Sequence, residues 1–507
     1  MCRESHDRDT FAASTQKSVD DRPRSRHSNG MTASDHASVG SCEEGRGGEP
    51  GLVRRIGPGL LLLFIVGDIL GTGVYALTGK VAKEVGGAVW LPFLCAFIVA
   101  MLTAFSYLEL VTKYPKAGGA AVYTHRAFNV HFITFLVAFT VMCSGLTSAS
   151  SASKAFAGNL AAVVGWQKAG IATLIVALLF MLAIACVNFR GVAESVKLNV
   201  VLTLVELTGL LLIIGIGAFA LMSGKGDTSR LTQINIPEGE TAFAAVTAAT
   251  ALAFFAMVGF EDSVNMAEET KDPVRIFPKI MIIGLTITGV IYVLVAISSV
   301  SLVAPNELGE GEAPLLKVVA AGAPAFPVGI FAFITMFAVA NSALINMLMA
   351  SRLLYGMAHE EVLPKPLGKV HAGRRTPYVA IIFTTLIAFG LIWFADLTTL
   401  GGTTAFLLLC VFTIVNIAVL VLRKDTVDHH HFKSPTIVSV AGAVLCLYLA
   451  SPLSGRDSKD YVVGGVLLVI GIVLWALTWF VNRAIYSKPT YAKHPEALGG
   501  HVDDDVQ

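Results

Sequence analysis

The sequence predicts an all-α membrane protein, and three observations predict it. Of the 507 residues, 54% are hydrophobic and only 14% are charged, and the mean hydropathy is +0.69. A soluble domain carries about 25% charged residues, so this chain has too little charge to clothe a water-facing surface. Its apolar residues gather in twelve runs, each close to the ~20 residues that cross a bilayer as helix. The runs are too long for barrel strands, and lipid offers no partners to backbone amides, so each crossing is expected to be helical.

In chain order the runs cover about 57–83, 88–112, 131–158, 169–188, 195–222, 241–269, 276–303, 325–357, 377–394, 400–422, 435–451 and 461–483. The loops orient them. With a cytoplasmic N-terminus, 21 Lys and Arg fall on the cytoplasmic face and nine on the other. Cytoplasmic loops carry the excess, so both termini are expected in the cytoplasm, on a chain that crosses the cell membrane an even number of times. Residues 1–50 are rich in Ser, Arg, Asp and His and poor in large apolar side chains, and are expected to be disordered. Met31 is an alternative start to Met1, and no signal peptide is expected, because the first apolar run follows a long polar stretch. Residues 486–507 are polar again and read as a cytoplasmic tail, which leaves 51–485 as the membrane domain.

Charge and cysteine content exclude several functions. A net charge of +1 gives no case for nucleic acid. Five of the seven Cys, namely Cys95, Cys143, Cys186, Cys410 and Cys446, lie in apolar runs, and none forms a close pair with another. They read as small buried hydrophobes, not as a disulfide or metal framework. There is no phosphate-binding G-x-x-x-x-G-K-[ST] loop and no zinc or nucleophile motif, so neither an ATP-driven pump nor an enzyme is expected, and no cofactor.

Two runs are interrupted. The first contains Gly67-Asp68-Ile69-Leu70-Gly71-Thr72-Gly73, and the sixth contains Phe254-Phe255-Ala256-Met257-Val258-Gly259-Phe260-Glu261-Asp262. A helix-interior glycine costs about 1 kcal/mol relative to alanine, and an acid at bilayer depth costs about 2.5 kcal/mol or more. Matching weak points in two halves of a chain are the sequence pointer to an inverted-repeat transporter. An unwound turn frees amides, which attract an anion, and carbonyls, which attract a cation. A zwitterionic amino acid supplies both. The plainer alternative is that Gly71 and Gly73 only let neighbouring helices approach; the matched pair, each with an acid beside it, favours the break.

These residues carry a resemblance. GDILGTGVYALTG (67–79) resembles the first-helix motif of the amino acid–polyamine–organocation (APC) transporters. FFAMVGFEDSVNMAEETKDPVRIFPKIM (254–281) is similar to that family's sixth-helix signature, and YPKAGGAAVYTHRAF (114–128) and SRLLYGMAHEEVLP (351–364) agree with it. The likeness covers nearly all of 55–485 and is closest to bacterial cationic and neutral amino acid transporters. It implies a five-plus-five inverted repeat, about 57–222 and 241–422, with two extra helices at about 435–483. Helices one, two, six and seven would rock against a scaffold. The resemblance further implies that the amides of Gly71, Thr72 and Gly73 hold a substrate carboxylate. The carbonyls of Phe254, Phe255 and Met257 would hold its amine, and Phe260 would act as a mobile gate. Met142, Ser144 and Gly145 would shape the side-chain pocket.

At two positions the chain departs from the pattern. Cationic amino acid members carry a Lys in the fifth helix where this sequence has Glu206, and many members are neutral where it has Asp68. Two carboxylates facing one pocket do not both ionise cheaply. They are read first as a proton-coupling pair; a sodium site, a reader of a cationic substrate and a hydrogen-bonded structural acid are the alternatives. Glu268, Glu269 and Arg275 are candidates for an inner gate, or else a surface ion-pair cluster. His429-His430-His431 reads as a solvated run rather than a metal site. The buried asparagines default to interhelical hydrogen bonds, with Asn341 and Asn346 candidates to face the pocket. The expected function is secondary active transport of an amino acid, run by a proton gradient or possibly Na+, by symport or exchange. A polyamine or potassium carrier of the same fold and a non-transporting sensor are the rivals.

Overall fold

A computed structural model describes residues 56–115, 118–166, 170–190, 195–236, 241–374, 376–485 and 490; the side chains of 195–199 stand outside that description. The polar segments expected at 1–50 and 486–507, Thr490 apart, and the choice between Met1 and Met31 lie outside the described residues.

The first apolar run forms α1 (Pro58–Ile69) and α2 (Thr72–Val85), and the second forms α3 (Trp90–Lys113). After a short α4 (Gly119–Phe128) come α5 (His131–Val164), α6 (Gly170–Arg190) and α7 (Ser195–Met222). The sixth run begins as α8 (Ala242–Ala253) and continues as two 3-10 turns, Phe254–Met257 and Asp262–Met266. There follow α9 (Pro273–Leu302), the short α10 (Pro305–Leu308) and α11 (Pro314–Gly322), α12 (Val328–His359), α13 (Tyr378–Phe394), α14 (Leu397–Leu422), α15 (Thr436–Ala450) and α16 (Ser458–Ala484). Among the described residues, with each interrupted run counted once, ten segments are long and apolar enough to cross a membrane. Two further apolar helices, α13 and α15, are shorter, at 17 and 15 residues. The chain is a multi-pass membrane protein.

Local chemistry sets the helix ends. Proline stands in the first turn of α1, α9, α10 and α11, where its missing N–H costs nothing. Thr241 Oγ1 accepts the Ala244 N–H at 3.2 Å, and Asp396 Oδ1 accepts the Thr399 N–H at 2.8 Å, each satisfying an orphan donor at a helix start. Helix α5 packs on α12 and α14, α1 packs on α7 and α9, and α3 packs on α9. Outward, α6 exposes Ile171 and Leu179, and α16 exposes Val462 and Phe480, as helices facing lipid should.

The structure corrects the sequence reading in one place and details it in another. Helices α4, α10 and α11 occupy stretches read as loops, because four to ten residues are too few to register as an apolar run. The sixth run, expected over 241–269 with a break in mid-span, keeps regular helix to Ala253 and continues in 3-10 turns to Met266. Val258 is extended, with ψ 143°, and Gly259 takes φ +127°, a region glycine enters freely and other residues rarely.

Both ends of the interrupted pair are tied down. At one end the Ile56 N–H donates to the Glu269 carbonyl at 2.9 Å, and the Lys271 N–H donates to the Ile56 carbonyl at 3.0 Å. At the other end the Asn235 N–H donates to Val85 O at 2.9 Å, the Ala88 N–H donates to Gln233 O at 3.1 Å, and Lys80 Nζ donates to Gly309 O at 3.0 Å.

Candidate functional site

The first break spans Leu70 and Gly71. Helix α2 starts at Thr72 with no side-chain cap on it, so its first amides have no intrahelical partners. These amides, with the helix dipole behind them, are an anion site in waiting. One freed carbonyl of α1 is already taken: Tyr292 on α9 donates its hydroxyl to Ile69 O at 2.5 Å. In the second break, the Gly259 N–H donates to Glu261 Oε2 at 2.9 Å, so Glu261 satisfies the turn it belongs to.

Glycine lets the two breaks touch. A Cβ on Gly73 would lie 2.4 Å from Ala256 Cα, and one on Gly259 would lie 2.8 Å from the Asp68 carbonyl carbon and oxygen. Backbone meets backbone at both points, so any side chain there forces the segments apart.

Between the breaks lies a cavity of about 20 Å3, room for about one water and far below the roughly 300 Å3 of a small-molecule pocket. In this conformation the space between the breaks is too small for an amino acid. Gly71, Thr72, Gly73 and Phe255 line the cavity, as does Asp68. The Thr72 side chain is 2% exposed, and its hydroxyl has no hydrogen-bond partner. Asp68 Oδ2 is likewise buried and unpartnered.

Other expected residues stand further back. Phe254 and Met257 are fully buried but do not line the cavity. Phe260 is wedged between Tyr107 and Phe412, with ring centroids 5.8 and 5.3 Å away. Met142 and Ser144 pack inside α5, where the Ser144 hydroxyl donates to Val141 O at 2.7 Å, and Gly145 lies against Asn346. The residue α5 brings to the cavity is Ser148, and α12 brings Ser342 and Asn346. Glu206 on α7 is fully buried and lies outside the cavity lining. The Asn341 side chain interacts with it, yet neither carboxylate oxygen reaches hydrogen-bond geometry. Tyr75 of α2 donates its hydroxyl to the Glu206 backbone carbonyl at 2.6 Å, tying α2 to α7.

Sequence reasoning paired Asp68 with Glu206 and gave Asp262 no role, but Asp262 lines the same cavity as Asp68. The signal was available: Asp262 follows Gly259 by three residues within the sixth apolar run. At the gate positions, Glu268 and Glu269 are half-buried, and Glu269 meets Ile56 through its backbone. Arg275 is exposed and 3.6 Å from Asp272. In the covering loop outside the spans, burial pushes the Glu312 carboxyl up from its ordinary range, against the pull of Lys154 and Lys80.

Comparison with known proteins identifies the fold's relatives. A family model described as amino acid permease matches residues 60–477. The branched-chain amino acid permease BcaP of Bacillus subtilis (strain 168) is 26% identical over 461 residues, which cover 87% of this chain and 94% of that protein. The methylthioribose transporter of the same organism is 27% identical over 450 residues, covering 84% and 93%. Cationic amino acid transporter 9, chloroplastic, of Arabidopsis thaliana is 29% identical over 339 residues, covering 63% and 58%. These are membrane transporters, not enzymes, and the interrupted helices, the cavity between them and the family match lead to one conclusion: this chain belongs to the amino acid permease family of the APC superfamily.

Proposed function

We propose that this protein carries an amino acid across the cell membrane by alternating access, without a bound cofactor. The observation that supports this most is the meeting of two broken segments over a closed cavity, with the uncapped N-terminus of α2 on one wall. In this reading the amides of Gly71, Thr72 and Gly73 take the substrate carboxylate, and the carbonyls of Phe254, Phe255 and Met257 take its amine. Phe260 moves as a gate, and Met142, Ser144 and Gly145 set the outer wall of the side-chain pocket. Twelve crossings in a five-plus-five repeat with two extra helices complete the layout, and α13 and α15 supply the two short crossings. With both termini in the cytoplasm, as the loop charges favour, the hydrogen bonds of Ile56 with Glu269 and Lys271 close the inner side, beside Glu268, Glu269 and Arg275.

Asp68 Oδ2 and both Glu206 carboxylate oxygens are buried without a hydrogen-bond partner, which supports a proton-coupled cycle, by symport or exchange; sodium is the alternative ion. The relatives are named for branched-chain amino acids, methylthioribose and cationic amino acids, so the side chain carried is set by local residues. Two acids on the cavity wall favour, as a second reading, a carrier of polyamines or simple cations.

The test is uptake of labelled amino acids into proteoliposomes under imposed pH and sodium gradients, with neutral, basic and acidic amino acids, putrescine and potassium as competitors. Saturable uptake competed by amino acids is the expected result. Competition by putrescine or potassium alone would transfer the assignment to the second reading.

A further inference from the structure

The least explained feature of the molecule is Asp262. It lines the central cavity with Asp68, and it also lines a second cavity of about 80 Å3 that runs toward the Ile56 end, beside Phe64, Met266 and Arg352. Asp262 is therefore the wall between the centre and the inner side. The glycine contact of the two breaks holds the Asp68 backbone against Gly259, three residues from Asp262, and both acids line a space that holds about one water. The Thr72 hydroxyl, 2% exposed and unpartnered, lines the same space.

That arrangement has a charge problem. A water-sized space has too little solvent to hold two ionised carboxylates cheaply; such pairs share a proton. Neutralisation from elsewhere is not at hand. The groups in the electrostatic field of Asp68 are Asp262, Glu261 and Glu206, all acids. Tyr107 stands near Asp262, and Tyr75 and Tyr292 spend their hydroxyls on backbone carbonyls. Arg352 shares the inner cavity with Asp262, and the acid whose field reaches it is Glu269. The empty carrier therefore closes over the pair only with a proton on it. An entering substrate brings an ammonium, whose positive charge takes over the same task.

We propose that Asp68 and Asp262 form one proton site shared across the two breaks, emptied when the ammonium of a substrate enters, so that the protein exchanges its substrate for a proton. The step is a proton transfer only. The O–H bond of the protonated carboxyl breaks, its electron pair stays on the carboxylate, and the proton leaves to water on the side from which the substrate came. Nothing is oxidised or reduced. On the other side the ammonium leaves, and a proton from the inner cavity reaches Asp262 before the empty carrier closes. This inference rests on the amino acid reading and fixes the direction of its coupling.

The test uses the full chain in proteoliposomes, with labelled arginine and leucine as first probes and the remaining amino acids behind them. Under exchange, a vesicle interior more acidic than the bath accelerates uptake several-fold, and an alkaline interior slows it. Binding to the protein in detergent releases one proton per ligand to a dye, and the Kd of the probe falls about tenfold for each unit of rising pH below the titration of the pair. Asp262→Asn removes one charge of the pair, so the empty carrier closes without a proton. In that variant counterflow persists at reduced rate, but the pH gradient loses its effect and proton release disappears. Asp68→Asn gives the same pattern and guards against a folding defect at one position. Uptake driven by an alkaline interior, by sodium at equal pH, or indifferent to pH in the wild type overturns the inference and leaves the amino acid reading standing. Absence of binding and uptake for all amino acids overturns both.

Discussion

Two regions of this molecule bury charge, and they treat it in opposite ways. Where α3, α14 and α15 meet, Glu109 is 2% exposed, and both its oxygens are used. Arg423 donates to them at 3.0 and 2.8 Å, and the Ser434 N–H adds a bond at 2.9 Å. Arg456 does the same near the far end of the bundle, donating to Asp460 at 3.0 Å and to the carbonyls of Gly402, Ala251 and Leu449 at 2.6, 3.2 and 3.3 Å. Between α1, α7 and the sixth run, by contrast, Asp68 Oδ2 and both Glu206 oxygens have no hydrogen-bond partner. A saturated buried charge locks helices together. An unsaturated one costs stability in the state seen, and such groups are retained at functional positions in membranes. The difference separates the parts that hold from the parts that respond.

The comparison can be broken, and the largest effect is expected at its geometric centre. Gly259→Val puts a β-branched residue at φ +127° and against the Asp68 backbone. Uptake should fall more than about 100-fold, because misplacements near 1 Å already cost that much. Near-normal transport would mean that the breaks need not touch. Next comes the responding pair. Asp68→Asn and Glu206→Gln should each lower gradient-driven uptake at least about tenfold, while retaining part of the binding or exchange; tenfold corresponds to about 1.4 kcal/mol. Full concentrative uptake in both would remove their coupling role.

The holding pair should show the reverse pattern. Glu109→Gln leaves Arg423 without its bidentate partner. Breaking a buried pair costs about 3–5 kcal/mol, and the partial exposure of Arg423, 27%, lowers the expectation to roughly 2–3 kcal/mol. Thermal unfolding in detergent should register this, while the KM of whatever protein remains folded changes little. If Glu109→Gln altered coupling and Asp68→Asn altered only stability, the division would be reversed. The smallest effect is expected at the surface: Arg275→Ala loses an exposed ion pair with Asp272 and should shift stability by less than about 0.5 kcal/mol.

A pH measurement sharpens the same contrast outside the membrane. Burial raises the Glu312 carboxyl, so the folded chain keeps that proton to higher pH than the unfolded chain, which releases it near about 4.3. The folded state then binds more protons in that window, and stability falls as pH rises through it. Against Glu312→Gln, the wild type should lose relative stability as pH climbs above about 4.3, read as a change in the difference between their unfolding temperatures. A constant difference across pH would mean that Lys154 and Lys80 fully compensate the burial.

Sequence alone determined the class, the place of the membrane helices and the two breaks. Those follow from properties local to each segment: an apolar run has one low-energy form in lipid, and glycine beside an acid weakens a helix wherever it lies. The acid beside the first break pointed to Asp68, and the family resemblance pointed to Gly71, Thr72, Gly73 and Phe255, all of which line the cavity. Tertiary structure decided which acids share a space, that Asp262 lines the same cavity as Asp68, that Ser148, Ser342 and Asn346 complete the wall, and that Glu109 meets Arg423 across 314 residues. Packing between segments distant in the chain sets such pairings, and hydropathy carries no record of which face of one helix meets which face of another.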